Sequence, residues 1–112
     1  MDDCLFCKII AGEIPSQKVY EDERAFAFDD INPVSPTHVL VIPKKHIART
    51  SDMTDGDEAD IGHLFTVANK VAAERGLEHY RLCINNGEGV GQSVFHVHLH
   101  VMGGRVMTWP PG

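Results

Sequence analysis

The sequence lacks the features typical of membrane, secreted and nucleic-acid-binding proteins. Its 112 residues contain no apolar run long enough to span a bilayer, and the start Met1-Asp2-Asp3 has neither the basic region nor the apolar stretch of a signal peptide. Only 10 Lys and Arg stand against 16 acidic residues, a formal net charge of -6. Nucleic-acid backbones are bound by clustered basic residues. We therefore expect no nucleic-acid or membrane partner and a cytoplasmic location.

Cysteine is also scarce, and its odd number, three, does not suit a disulfide framework. Two of the cysteines form Cys4-x-x-Cys7, a spacing typical of metal or redox chemistry in a reducing compartment. The chain has no internal repeat and no low-complexity tract. Its length suits one modest core, which predicts a single domain over residues 1–112.

The predicted elements are five strands and one long helix. Polar turns bound strands at 18–20, 25–29, 38–42, 80–84 and 94–102. Apolar residues at helical spacing predict the long helix between Thr54 and Gly76; they are Ile61, Leu64, Phe65, Ala68, Val71 and Ala72. A short helical pattern covers residues 4–11. Short connections favour antiparallel pairing, so we predict an α+β fold with the long helix packed on one face of the sheet. His38 carries no motif and is interpreted as a packing residue.

The strongest chemical signal is the alternation from Val94 to Val101. Because strand side chains point to opposite faces, one face should carry Phe95, Val97, Leu99 and Val101, and the other His96, His98 and His100. Imidazoles titrate near neutrality and serve as nucleophiles and proton carriers. The middle one is flanked on both sides. His98 is therefore the predicted nucleophile, with His96 and His100 as orienting or proton-handling groups.

Other interpretations of the three histidines stay open. One is a surface strand on which histidines alternate with apolar residues by chance, although three in register make this a poor account. Another is a metal site, but the outer pair would lie about 13 Å apart, so two of the three could share an ion and all three could not.

The glycine-rich loop 85–93 directly precedes the histidines. Its alternate glycines allow backbone N–H groups to turn towards an anion, although it matches neither a Walker A loop nor a Rossmann fingerprint. Taken alone it is more simply a flexible hairpin loop. Its position favours an anion site, because oxyanion donors must lie within a few ångströms of the nucleophile.

These residues resemble the histidine triad (HIT) superfamily, whose signature is His-φ-His-φ-His-φ-φ with φ apolar. The segment from His96 to Met102 satisfies every position. The likeness runs from Lys8-Ile9-Ile10 to the terminal Trp109-Pro110-Pro111-Gly112. Over this length the chain is similar to the Hint branch of nucleotide-binding proteins. The resemblance implies a homodimer in which two five-stranded antiparallel sheets join. It also implies a purine nucleoside phosphoramidase that cleaves P–N bonds of AMP-linked amines through a nucleotidylated His98.

The resemblance implies further site residues. Those near the phosphate are Asn85, Gly91, Gln92, Ser93 and His100, and those for proton handling are His46 and His96. Asp30 matches the ribose-hydroxyl acceptor, and the apolar walls around the base match Phe6, Ile9, Phe28 and Ile31. The apolar residues would be core in most small domains, and Asp30 could instead cap the Asn32-Pro33 turn.

In carrying the pair Cys4 and Cys7, the chain resembles other triad proteins, most of them microbial, in which such a pair binds zinc together with two histidines. His46 and His96 are the matching completions of a closed structural site. Two reduced, partly buried cysteines are the alternative. If zinc holds both histidines, protonation of the leaving amine falls to Ser93, His100 or water. The chemistry itself requires no cofactor.

Three other functions stay open. The chain could be a nucleotide-binding or scaffolding module without turnover, although the intact His98 argues against it. It could be a zinc hydrolase that uses metal-bound water. It could also be a dinucleoside polyphosphate hydrolase or nucleotidyltransferase of the same superfamily, although the short length and the tail favour the phosphoramidase.

Overall fold

The computed structural model describes residues 3–112. Its helices and strands, in chain order, are α1 (Leu5–Ile10), β1 (Lys18–Glu21), β2 (Ala25–Asp29), β3 (Thr37–Pro43), α2 (Glu58–Glu74), β4 (Tyr80–Cys83) and β5 (Leu99–Gly103). The predicted α+β fold with one long and one short helix is confirmed. The predicted domain includes Met1 and Asp2, which lie outside the described residues. Among the helices described, none combines the length and apolarity needed to cross a membrane.

The strands form one antiparallel sheet in the order β1-β2-β3-β5-β4. The central strand β3 is buried along its whole length. Its Val39 and Val41 belong to the core beneath α2, whereas Leu40 and Ile42 pack with residues of α1 on the opposite face. Both faces of β3 are therefore covered, which explains why its sequence is a continuous apolar run rather than an alternating one.

Helix α2 covers one face of the sheet. A single 3-10 turn, Asp55–Asp57, leads into it, and the N–H and hydroxyl of Thr54 both donate to the carboxylate of Asp57, which caps this turn. The end of α2 is followed by Gly76, whose φ of +69° suits a left-handed helix terminator. The predicted apolar stripe is correct except at Phe65, which is exposed, while the unpredicted Val67 is fully buried.

Strand β5 begins five residues later than predicted, at Leu99 rather than Val94. Its partner β3 ends at Pro43, which has no N–H to continue the ladder. The carbonyl of Pro43 accepts a hydrogen bond from the ring Nε2–H of His96 at 2.7 Å instead of from a backbone donor. The first half of the predicted strand is therefore irregular backbone.

This irregular segment changes the burial expected from strict alternation. The N–H of Val97 donates to the carbonyl of Ile47 at 2.7 Å, so the segment is fastened to residues beyond β3. Phe95 is exposed and His96 is fully buried, so the prediction that Phe95 faces the core is wrong. Val97, like Leu99 and Val101 further along, does pack in the core beneath α2.

Candidate active site

A cavity of about 280 Å³ lies between α1, the strands β2 and β3, and the histidine segment. Eight of the eleven residues predicted to bind nucleotide line it: Phe6, Ile9, Phe28, Asp30, Ile31, Ser93, His98 and His100. Asn85, Gly91 and Gln92 do not. The structure thus brings together the predicted base, ribose and phosphate groups, apart from most of the glycine-rich loop.

The cavity has an apolar wall and a polar end. The ring of Phe6 meets that of Phe28 edge-on at 5.4 Å and that of His98 at 5.1 Å. Among the residues that line the cavity there is no lysine or arginine, and Asp29 and Asp30 are its acidic members. A ligand here would meet aromatic surface and neutral imidazoles rather than cations.

Hydrogen bonding fixes the tautomer of His98, which is 5% exposed and borders the cavity. Its Nδ1 lies 2.8 Å from the backbone carbonyl oxygen of His96, an acceptor only, so Nδ1 carries the proton and donates. The lone pair is therefore on Nε2. Burial lowers the pKa of His98, and the ring is neutral at neutral pH. A neutral, oriented imidazole with a free Nε2 is the form that a nucleophile requires.

His100 has the opposite tautomer, set by its neighbour His38. The N–H of Val34 donates to Nδ1 of His38 at 3.1 Å, so the proton of His38 resides on Nε2. That Nε2–H donates to Nδ1 of His100 at 2.9 Å. The proton of His100 is then on its Nε2, a buried atom with no partner among residues 3–112. His100 thus offers a spare N–H at the edge of the cavity, and burial lowers its pKa to about 4.

Asp30 adjoins this histidine pair. Its Oδ1 accepts the N–H of Asn32 at 2.8 Å, as the turn-cap alternative requires, while Oδ2 lies 3.5 Å from Nε2 of His38. Possible metal-ligand atoms of Asp30, His38 and His100 all lie within 4.8 Å of one another. However, Nε2 of His38 carries a proton, because its Nδ1 faces a backbone donor, and a protonated nitrogen cannot bind a metal. This group is a hydrogen-bond network.

A second cluster joins α1 to the segments after β3 and before β5. Sγ of Cys4 lies 3.3 Å from Nδ1 of His96, and Sγ of Cys7 lies 3.4 Å from Nδ1 of His46 and 3.6 Å from that of His96. Zinc bonds of about 2.3 Å to sulfur and 2.0–2.1 Å to nitrogen in a tetrahedron place S and N about 3.6 Å apart. Because Nε2 of His96 donates to Pro43, its lone pair is on Nδ1. The donor set fits a zinc ion.

The structure changes the expected roles of three histidines. His46 and His96 lie with the cysteines and do not line the cavity, so they are not placed to exchange protons with a ligand there. His38, interpreted as a packing residue, is buried but bonded to His100. The sequence feature that could have indicated this contact is the position of His38 two residues before Leu40, on the same face of β3, since Leu40 pairs with His100 in the β3–β5 ladder. Recognising that feature requires the pairing register, which the sequence alone does not supply.

The chain is similar to known proteins over nearly its whole length. The sequence model of the HIT domain family matches residues 11–107. An uncharacterized HIT-like protein of Synechocystis is 53% identical, over 99% of this chain and 98% of that protein. A crystal structure of a HIT family hydrolase from Legionella pneumophila superposes with a TM-score of 0.95 at 52% identity, covering 98% of this chain and all of that one. A HIT family hydrolase from Clostridium thermocellum gives 0.94 at 45% identity, with 96% of each chain covered.

Proposed function

The chain belongs to the HIT domain family, and from this premise we propose that it is a hydrolase of purine nucleoside phosphoramidates that works through a nucleotidylated His98. The observation that carries the proposal is the tautomer of His98. Its Nδ1–H is held by the carbonyl of His96, so an unprotonated Nε2 is presented at the wall of an apolar cavity. The names of the two hydrolases from Legionella and Clostridium support the hydrolase class.

In the first step, Nε2 of His98 attacks the α-phosphorus and the P–N bond breaks. The amine leaves with a proton from water, for which the exposed hydroxyl of Ser93 at the cavity wall is a conduit. The carbonyl of His96 stabilises the positive charge that develops on the attacking ring through Nδ1–H. The spare Nε2–H of His100 donates to a phosphate oxygen.

In the second step, water attacks the same phosphorus and the bond between phosphorus and His98 breaks. The products are the nucleoside monophosphate and neutral His98, and the proton lost from water balances the one taken by the amine. His100 is a fixed donor throughout rather than an acid. Losing its Nε2 proton would create an imidazolate, because Nδ1 already accepts from His38.

The cavity favours a single phosphate over a polyphosphate chain. Its volume of about 280 Å³ is at the lower end for small-molecule sites, and no basic side chain lines it. Phosphates that carry several charges are usually met by lysine, arginine or a metal ion. These features favour a phosphoramidase over a dinucleoside polyphosphate hydrolase of the same superfamily.

The test compares parent and His98→Ala on an AMP-linked amine. We expect the variant to lose at least about 10³-fold in kcat, because it lacks the attacking atom, while AMP still binds in the cavity. Rapid quenching of the parent with labelled substrate should trap label on His98, which a scaffolding module would not show. His79→Ala, at an exposed histidine, is the matched control. Equal rates for His98→Ala and parent would contradict the proposal.

We also propose that Cys4, Cys7, His46 and His96 hold a structural zinc ion. Four protein ligands leave no open position for water, so the ion would supply a cross-link that fastens α1 to the sheet. Support comes from the sulfur–nitrogen distances of 3.3–3.6 Å. Metal analysis should find one zinc per chain, lost in Cys7→Ser and kept in Cys83→Ser. Reversible loss of turnover on chelation, with stability unchanged, would instead indicate a catalytic metal.

A homodimer is the third part of the proposal. Strand β4 is an edge of the sheet, and the chain beside it exposes two apolar side chains, Val106 and Trp109, at 84% and 81%. An open edge next to apolar surface is a suitable place for a second copy of this chain.

A further inference from the structure

Residues 87–92 of the glycine-rich loop form a closed ring. The N–H of Gln92 donates to the carbonyl of Gly87 at 3.1 Å, and the N–H of Gly87 donates to the side-chain Oε1 of Gln92 at 2.8 Å. Gly87 and Gly91 both have φ above +100°, a conformation that other residues rarely adopt. The loop therefore has a defined shape, and one side chain closes it.

The same side chain fastens the loop to the body of the protein. Nε2 of Gln92 donates to the carbonyl of Ala48 at 2.7 Å and to that of Val94 at 3.1 Å. With Oε1 on Gly87, both donors and the acceptor of the carboxamide are engaged, and the residue is only 3% exposed. Gln92 has no capacity left to contact a phosphate directly, which differs from the role that the family resemblance implied.

The fastened segment continues into the cavity wall. Ser93 and Val94 follow Gln92 and line the cavity with His98. Neither the N–H of Ser93 nor that of Val94 has an acceptor within the described part of the chain. Both are backbone donors of the kind that binds phosphate oxygens, and their positions depend on how the loop is held.

A second tether holds the loop at its outer end. Oδ1 of Asn86 accepts from the hydroxyl of Thr50 and the N–H of Ser51, at 3.0 and 2.9 Å. This contact is exposed and does not reach the cavity wall. The two tethers allow the effect of holding the loop in general to be separated from the effect of holding its inner end.

We propose that Gln92 is a positioning residue: its buried carboxamide clamps the inner end of the loop to Ala48 and so places the backbone donors of residues 93 and 94 for the phosphate. The inference rests on the proposed function for the identity of its ligand, but the clamp formed by Gln92 can be tested on the protein without any ligand bound. It predicts that the loss of the carboxamide weakens phosphate binding more than it slows the chemical step, because His98 is positioned separately by His96.

The experiment compares Gln92→Met, which has a similar length and no hydrogen-bonding amide, with Asn86→Ala. Hydrogen exchange on the free protein reads the amide of Gly87, AMP titration reads the dissociation constant, and steady-state assays with an AMP-linked amine separate KM from kcat. For Gln92→Met we expect at least tenfold faster exchange at Gly87, at least tenfold weaker AMP binding, and a larger rise in KM than fall in kcat. Asn86→Ala should stay within twofold of the parent in AMP binding and kinetics.

Should Gln92→Met not fold, Gln92→Glu is the second variant, since it keeps the acceptor for Gly87 and loses both donors. It should protect the Gly87 amide while still binding AMP at least tenfold more weakly. Parent-like AMP binding in a folded Gln92 variant, or equal weakening in Asn86→Ala, would overturn the clamp. If the parent itself neither binds AMP nor turns over the phosphoramidate, the proposed function fails; unchanged Gly87 exchange in Gln92→Met would then be what refutes the clamp.

Discussion

At the residue scale, hydrogen bonds that begin at backbone groups determine which nitrogen of His98, His38 and His100 carries a proton. A carbonyl holds Nδ1–H of His98, and an N–H holds the unprotonated Nδ1 of His38. The tautomer of His100 follows from that of His38. Two neighbouring imidazoles therefore present opposite properties, a lone pair on His98 and a donor on His100, although their ring centres are only 5.0 Å apart. This division of roles is the basis of the proposed chemistry.

The first prediction at this scale concerns His38, which does not line the cavity and acts through His100. His38→Phe should lower kcat on an AMP-linked amine by about 10–100-fold, because without the Nε2–H donor the tautomer of His100 is no longer fixed. His38→Gln places an amide donor near the same position and should recover part of that loss. Steady-state kinetics of both variants provide the measurement. A rise in KM alone, with kcat unchanged, would exclude the positioning role.

The second prediction concerns pH and His100. Burial lowers its pKa from 6.5 to about 4, so between these values the unfolded chain binds a proton that the folded chain does not. Stability should therefore fall as the pH drops through this window, with about 1–2 kcal/mol lost between pH 7 and pH 5 through this group. Urea unfolding at both pH values measures the effect. His100→Asn should reduce the difference by that amount, His79→Asn should not, and identical pH profiles for parent and His100→Asn would refute the assignment.

At the scale of elements, the sequence predicted whatever depends on local pattern. The helix α2 and the strands β1, β2 and β3 each follow from apolar periodicity and turn residues. The boundary of β5 could not be found in this way, because it depends on Pro43 and Ile47 meeting the histidine segment from other parts of the chain. Periodicity continues through residues that no longer form a ladder.

The residues of the candidate site likewise fall into those that local sequence pattern predicts and those that it does not. The three triad histidines and the cysteine pair are visible in the sequence as spacings. The base and ribose residues came only from the family resemblance, since an apolar residue such as Phe28 has no pattern that separates a cavity wall from a core. His38 and the clamp by Gln92 needed the register and the loop conformation. These are tertiary contacts between segments more than 40 residues apart.

The prediction at this scale concerns the exit from β5. A Cβ at Gly104 would lie 2.9 Å from Cβ of Pro36, and its φ is +95°. Gly104→Ala combines this overlap with an unfavourable backbone conformation and should cost at least about 2 kcal/mol. Gly12 has a φ of +79° in open space, so Gly12→Ala, as the matched control, should cost about 1 kcal/mol. Urea unfolding of both variants checks the difference, and equal costs would show that the contact with Pro36 relaxes freely.

At the scale of the whole molecule, the two edges of the sheet differ. At the β1 edge, Glu21 pairs with Lys18 at 3.2 Å and with Lys44 at 2.8 Å, and charges of this kind discourage strand pairing. At the β4 edge, a groove of about 440 Å³ runs between the strand and the terminal residues, which Arg81 holds by donating to the carbonyl of Thr108 at 3.0 Å. Association through the sheet should therefore use β4.

The proposed homodimer can be tested on the intact chain. Light scattering should give twice the chain mass for the parent, and its melting temperature should rise with protein concentration, because association stabilises the folded state by mass action. Val106→Asp places a charge on a side chain that is 84% exposed in the single chain, so it should leave the fold intact and shift the protein to monomer. Val90→Asp makes the same change at a residue that is 66% exposed, lies in the glycine-rich loop and does not line the groove beside β4, and should stay dimeric. A monomeric parent at all concentrations would refute the dimer, and equal dissociation of the two variants would refute β4 as its interface.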